Sequence, residues 1–268
     1  ISPAGRFGVY ESDANNLVAA PLTDNVTDIY IYDRKLFTTY QLSGVLGAAS
    51  PTGGFAVASE ADGSSTVPSI TGGGKSKTKS YMIAFESRAT NLDSIPGGDT
   101  NNDRDIFVLE FAAVDVKDAN SAYEIKSVQR VSAPIDAATG LPSGEASFEL
   151  NGGAANSRAP VIAGTNLAYT VAFRSTADNL LAVDPLYPYW NEDSNFTGNG
   201  TGEDIYVYNS KTRLFTRANV DPAGQQGTRN ATNPAIAPDG KAIGFDTDDT
   251  YLTPVYTMGS DQVYIFKP

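Results

Sequence analysis

"YMIAFESRATNLDSIPGGDTNNDRDIFVLE", residues 81–110, sets a spaced row of acidic and amide side chains between two apolar runs. Two readings compete for it: a calcium loop, or one copy of a phrase that the chain repeats. Asp99, Asn101, Asp103 and Asp105 alternate, and Glu110 stands where the bidentate last ligand of an EF-hand loop would stand. An EF-hand loop must curl until its first and last ligands meet. Here the tail is Ile106-Phe107-Val108-Leu109, a β-favouring run, and extended chain advancing about 3.3 Å per residue would carry Glu110 away from Asp99.

The rest of the chain supports the second reading. Val9-Tyr10-Glu11-Ser12, Ala84-Phe85-Glu86-Ser87, Ala172-Phe173-Arg174-Ser175 and Gly244-Phe245-Asp246-Thr247 are four versions of one strand ending. A second strand follows each: "DIYIYD" from Asp28, "DIFVLE" from Asp105, "DIYVYN" from Asp204 and "QVYIFK" from Gln262. Three of these lead into a further strand, "TTYQLS", "SVQRVS" and "LFTRAN", and Pro-x-Ile stands before the later copies at Pro68, Pro160 and Pro234. The unit is therefore four short strands, a to d, with the two-residue alternation of β structure and no sustained helical period. Repetition of such a unit around an axis is a propeller, which protects the edges of its small sheets. The expected fold is all-β: a β-propeller, or a portion of one, over residues 1–268, with four-stranded antiparallel blades in units of about 1–43, 44–133, 134–220 and 221–268.

These residues carry a family resemblance. "ISPAGRFGVYES", "IAPDGKAIGF" and "DIYVYN" resemble the TolB-like propeller repeat, and "IAFESRATNL" with "GDTNNDRDIF" and "QRVS" is similar to the version found in large secreted or surface-attached bacterial proteins. The resemblance spans nearly the whole chain. It implies a propeller fold and an extracellular, cell-surface or periplasmic setting, but no single activity, because propellers serve as binding platforms, assembly parts and enzyme scaffolds alike.

Composition narrows the chemistry. The chain has no Cys and no His, which removes disulfides, Cys/His zinc sites and His-based catalytic triads. A net charge of −12 argues against nucleic acid and anionic membrane surfaces as partners and favours divalent cations. No apolar run approaches the roughly twenty residues that span a bilayer, so no membrane insertion is expected.

If the strands alternate in direction, the d-to-a and b-to-c connections emerge on one face and the a-to-b and c-to-d turns on the other. Most of the long connections are of the first two kinds, so that face is where a partner is expected. The main exception is the insertion between Phe111 and Lys126. One long b-to-c loop holds Tyr187, Tyr189 and Trp190, the only tryptophan, followed by Asn191, Glu192 and Asp193. Such rings and polar groups suit a glycan or a protein hot spot. The plainer reading, which is preferred, has them anchoring their own loop. Asn25, Asn195, Asn199 and Asn230 each begin an Asn-x-Ser/Thr sequon, meaningful only in a glycosylating host. Asp28, Asp105 and Asp204 recur at the head of strand c, with Gln262 in the fourth place, and a recurring position usually serves the repeat. Asp99, Asn101 and Asp103 form a compact hard-oxygen cluster, and calcium in a form other than an EF-hand is kept as an option there. The Gly-rich "TGGGKSK" from Thr71 lacks the full phosphate-loop spacing and leads into a strand.

Two function classes remain. The first, preferred here, is a non-catalytic structural or interaction module of an extracellular protein or assembly. The second is a propeller glycoside hydrolase or glycan-binding module, whose catalytic version needs two carboxylates about 5 to 10 Å apart. Ile1-Ser2-Pro3-Ala4-Gly5-Arg6 aligns with Ile236-Ala237-Pro238-Asp239-Gly240-Lys241, so residue 1 falls inside a strand a, and Pro268 follows strand c of the last unit. An incomplete last blade leaves an open edge, and a larger propeller or a head-to-tail neighbouring subunit is expected to complete it.

Overall fold

Each of the four repeats folds as its own antiparallel sheet. The computed structural model describes residues 1–18, 25–46, 57–73, 79–92, 98–115, 117, 121–136, 138–140, 142–148, 153–177, 179–181, 202–250, 252–253 and 261–268. The first sheet is β1 (Phe7–Ser12), β2 (Asp28–Asp33) and β3 (Thr38–Gln41). The second is β6 (Ser65–Gly72), β7 (Ser80–Ser87), β8 (Asp105–Ala113) and β9 (Tyr123–Arg130). The third is β12 (Ser157–Thr165), β13 (Ala168–Ser175), β14 (Asp204–Asn209) and β15 (Leu214–Arg217); the fourth is β16 (Ala231–Ile236), β17 (Ile243–Thr247) and β18 (Gln262–Phe266). In all four, consecutive strands are neighbours in the sheet.

Three features depart from the sequence-based expectation. The first sheet has three strands, because residues 1–6 form no strand a, whereas the three strands of the fourth agree with the incomplete last blade expected there. The long d-to-a connections are not simply loops, since each carries a two-stranded ribbon: β4 (Gly44–Leu46) with β5 (Val57–Glu60), and β10 (Ser147–Phe148) with β11 (Gly153–Ala154). Much of the insertion after Phe111 is strand, because β8 runs on to Ala113 and β9 begins at Tyr123.

The period of two gives every sheet two unlike faces. In strand c of the second sheet, Phe107 and Leu109 pack on the first sheet, against Phe7, Ile29, Ile31 and Leu42. Ile106 and Val108 point the other way and meet Phe173, Tyr206 and Tyr208 of the third sheet. Ala172, Ile205 and Val207 of the third sheet in turn meet Ile243 and Phe245 of the fourth. Three apolar clusters thus join the four sheets in series, and among the described residues no cluster joins the fourth sheet to the first. One cross-strand stacked pair recurs on the aromatic face of every sheet, with centroids 5.7–5.8 Å apart in Tyr10–Tyr30, Phe85–Phe107 and Phe245–Tyr264 and 6.2 Å apart in Phe173–Tyr206, and the second sheet adds Tyr81–Phe111 at 5.0 Å.

Repeated polar residues fasten this stack. Pro68, Pro160 and Pro234 each follow a residue at positive φ (Val67 53°, Ala159 52°, Asn233 50°), where the ladder to strand b shifts register. A proline has no N–H to give a ladder, so it sits at a bulge. The bulge frees a main-chain N–H for the preceding sheet: Val67 donates to Glu11 (2.5 Å) and Ala159 to Glu86 (2.7 Å). Ser65, Ser157 and Ala231, which open strand a, donate to the carbonyls of Thr27, Arg104 and Glu203, which stand just before strand c of the preceding sheet. Strand a of one sheet and strand c of its predecessor therefore begin at the same end of the stack.

Candidate functional site

The most polar buried place lies at that end of the second sheet, where strand c begins. Asp105 heads β8 with no exposed surface and accepts from the Ser132 hydroxyl (2.5 Å), while the main-chain N–H of Ile106 donates to the same hydroxyl (2.8 Å). The arrangement recurs. Ser43 stands between Asp28 (2.6 Å) and the N–H of Ile29 (2.8 Å), and Asn219 stands between Asp204 and the N–H of Ile205 (3.0 Å). The last residues of "TTYQLS", "SVQRVS" and "LFTRAN" thus play one structural role, in which a side chain that both accepts and donates ties the head of strand c to the end of strand d. The carboxylates repeat because the fold repeats. Their partners are side chains two residues past strand d, a connection not evident from the sequence although those positions recur as visibly as the aspartates.

Asp105 differs from Asp28 in its surroundings. Arg130, from the end of β9, has none of its side chain in solvent and places Nη1 3.2 Å from Asp105 and 2.6 Å from Glu145. Its Nη2 donates to the carbonyls of Gly98 (3.1 Å) and Gly144 (3.0 Å). Arg217 repeats the pairing in the third sheet, with Nε 3.1 Å from Asp204. Asp99, Asp105 and Glu145 bring carboxylate oxygens within 4.8 Å of one another. Burial pushes the Asp105 carboxyl up to about 7; Arg130 and Ser132 pull it down, and the Asp99 charge adds to the rise.

Of the three residues proposed for calcium, only Asp99 belongs to this group. Asn101 donates from its main chain to Asp99 (3.2 Å) and from its amide to Glu145 (3.0 Å), Asp103 donates from its main chain to Asn101 (2.7 Å), and the Asp103 carboxylate accepts from Asn156 (3.1 Å). These bonds tie the b-to-c loop of the second sheet to Glu145 of the next connection and to the approach of β12. The cation placed among the carboxylates is a guanidinium. Tyr187, Tyr189 and Trp190, proposed for glycan or partner binding, lie outside the described residues, as do Asn195 and Asn199.

No protein-family model matches the chain, and no curated protein matches it in sequence. Among solved structures it is similar to the tricorn protease, at 13% identity and a TM-score of 0.39 over 98% of this chain, and it spans only 22% of that one. It is also similar to the α-L-arabinofuranosidase of Fusarium graminearum in complex with an iminosugar inhibitor, at 11% identity and a TM-score of 0.33, over 97% of this chain and 76% of that one. Likenesses at these scores carry no argument about what this chain does.

Proposed function

We propose that the chain is a non-catalytic structural or interaction module of β-propeller type, close to the TolB-like repeat and working in an extracellular or cell-surface assembly. One observation carries this reading. Ile29, Ile106 and Ile205, at the second position of strand c, are wholly buried by the sheet that follows, whereas Val263, at the same position of the fourth sheet, is 80% exposed and its neighbour Ile265 is 70% exposed. A face with the residues of an inter-sheet contact but, among the described residues, no covering sheet suits a partner built in the same way: a second copy, presenting the stacked Tyr10–Tyr30 face of its first sheet in head-to-tail contact. Sedimentation velocity over a range of concentrations tests this. Self-association that is lost in a Val263→Asp/Ile265→Asp double variant of unchanged melting temperature is the expected result; a monomer at every concentration overturns the reading.

The convergence of Asp99, Asp105 and Glu145, with the Asp105 carboxyl raised to about 7, favours a second reading as a glycoside hydrolase. Against it stands the position of Asp105, buried and tied to Ser132 in the way its repeat counterparts are tied to strand d. Hydrolysis of a panel of aryl glycosides, abolished by Glu145→Gln in a protein that still folds, would establish the enzyme.

A further inference from the structure

The net charge of −12 sums two unlike ends. Exposed Asp13, Asp62 and Asp261 belong to the end carrying the b-to-c and d-to-a connections, where most of the carboxylates lie. Much of the positive charge at that end is matched, in the pairs of Arg104 with Glu86, Arg130 with Asp105, Arg174 with Glu203 and Arg217 with Asp204. The opposite end, formed by the a-to-b and c-to-d turns, holds every described lysine. Lys35 and Lys211 stand in the c-to-d turns of the first and third sheets with Arg34 and Arg213, Lys117 in that of the second, and Lys241 in the a-to-b turn of the fourth, all exposed. The few carboxylates there are engaged: Asp33 with Arg6 (2.6 Å), Glu124 with Lys126, and Asp115 and Asp239 accepting main-chain N–H groups of their own turns. Contacts between turns hold this end together, Arg34 donating to the carbonyl of Gly5 (2.8 Å) and Thr71 to that of Gly164 (3.1 Å).

The same turns carry apolar side chains into solvent. Phe37 and Leu167 are each 80% exposed and Leu214 is 59% exposed, with Leu36 and Val114 nearby. Phe37 also holds a positive φ of 53° at the tip of the β2–β3 turn, a conformation that a bulky side chain adopts rarely and that glycine would take without strain. Arg213 holds a similar φ of 58° at the equivalent place in the third sheet, so the conformation belongs to the turn, and what is particular to Phe37 is a large apolar side chain left in solvent there. An acidic polysaccharide would engage the cations but would leave Phe37, Leu167 and Leu214 in water. The interface of an anionic bilayer takes both, with cations at the headgroups and apolar tips just below them.

We infer that this turn end is a peripheral docking surface for an anionic lipid bilayer. The acidic end does not oppose it. A strand of eight residues such as β7 holds the two ends roughly 26 Å apart, about three Debye lengths at physiological ionic strength. The unlike ends also orient the approach, so that the long connections face away from the lipid. Among the described residues no helix is long and apolar enough to cross a membrane, and the contact needs none.

Flotation of the intact chain with vesicles of phosphatidylcholine alone, or of phosphatidylcholine with about a third phosphatidylglycerol, tests this. The expected result is flotation with the anionic vesicles only, weakening as salt is raised. Partition should fall about fivefold for each of Lys211→Gln and Lys241→Gln. It should fall about tenfold in a Phe37→Ser/Leu167→Ser variant whose melting temperature is kept. No flotation with anionic vesicles, or equal flotation with neutral ones, overturns the inference. So does binding that the lysine variants weaken and the Phe37/Leu167 variant does not, since that pattern belongs to a soluble anionic polymer.

Discussion

Arg130 is the largest of the wholly buried side chains, and its position makes it the residue on which the site most depends. A buried guanidinium between two carboxylates is a weak source of net stability, yet removing it leaves negative charge buried without compensation. Arg130→Met should therefore cost about 3–5 kcal/mol by urea unfolding, while Arg229→Met, at the exposed pair with Asp248, should cost at most about 1 kcal/mol. Asp105 gives the pH dependence its sign. Its carboxyl titrates near 7 in the folded protein, above the 3.8 of an unperturbed aspartate, so the native state holds a proton that the unfolded chain has already lost. That contribution is fully present below about pH 4 and disappears as pH rises through 7. Urea midpoints measured between these limits should fall with rising pH, and Asp105→Asn should make the fall shallower.

At the scale of the element, the repeating phrases were legible because each has a local cause. The "ES" of strand b ends in Ser12, Ser87, Ser175 and Thr247, whose hydroxyls accept from the N–H two residues on, at 3.0–3.1 Å, and so turn the chain out of the sheet. The tyrosine of strand c does a similar service, its hydroxyl donating to a loop carbonyl in Tyr30, Tyr206 and Tyr264. What the sequence hid was non-local. Ser132 meets Asp105 from 27 positions away, and the bond depends on strand register rather than on spacing. The ribbons β4–β5 and β10–β11 were equally hard to see, being only two to four residues per strand and rich in Gly, Ala and Ser. Two substitutions probe the elements. Phe107→Ala should lower stability by about 3–5 kcal/mol, the loss of a buried aromatic. Gly164→Ala should destabilise more than its size suggests, because at φ 113° the added Cβ would fall 2.4 Å from the Ala168 carbonyl oxygen; thermal melting of the two variants checks both.

For the molecule as a whole, the sheets are joined in a row, so equivalent positions have unequal energetic weight. Ile106→Asp would bury a charge between the second and third sheets and should unfold the chain, whereas Val263→Asp, at the same place in the fourth repeat, should change stability by no more than about 0.5 kcal/mol. Equal damage from the two would mean that the fourth sheet is covered. Hydrogen exchange should be slowest in β7, β8, β13 and β14, which have neighbours on both faces, and faster in β17 and β18. Strand c turns its aromatic position to the preceding sheet and its aliphatic positions to the following one in every repeat that has such a neighbour, which has a further consequence: the series has a direction. An extra copy of the second repeat, inserted in tandem after the first, would present Phe85 and Phe107 to Ile29 and Ile31 and offer Ile106 and Val108 to the original copy. The contact with the first repeat would then be one the protein already makes, and the contact between the two copies, Ile106 and Val108 against Phe85 and Phe107, would be new in its residues but would repeat the pattern of aliphatic against aromatic side chains found at the other interfaces.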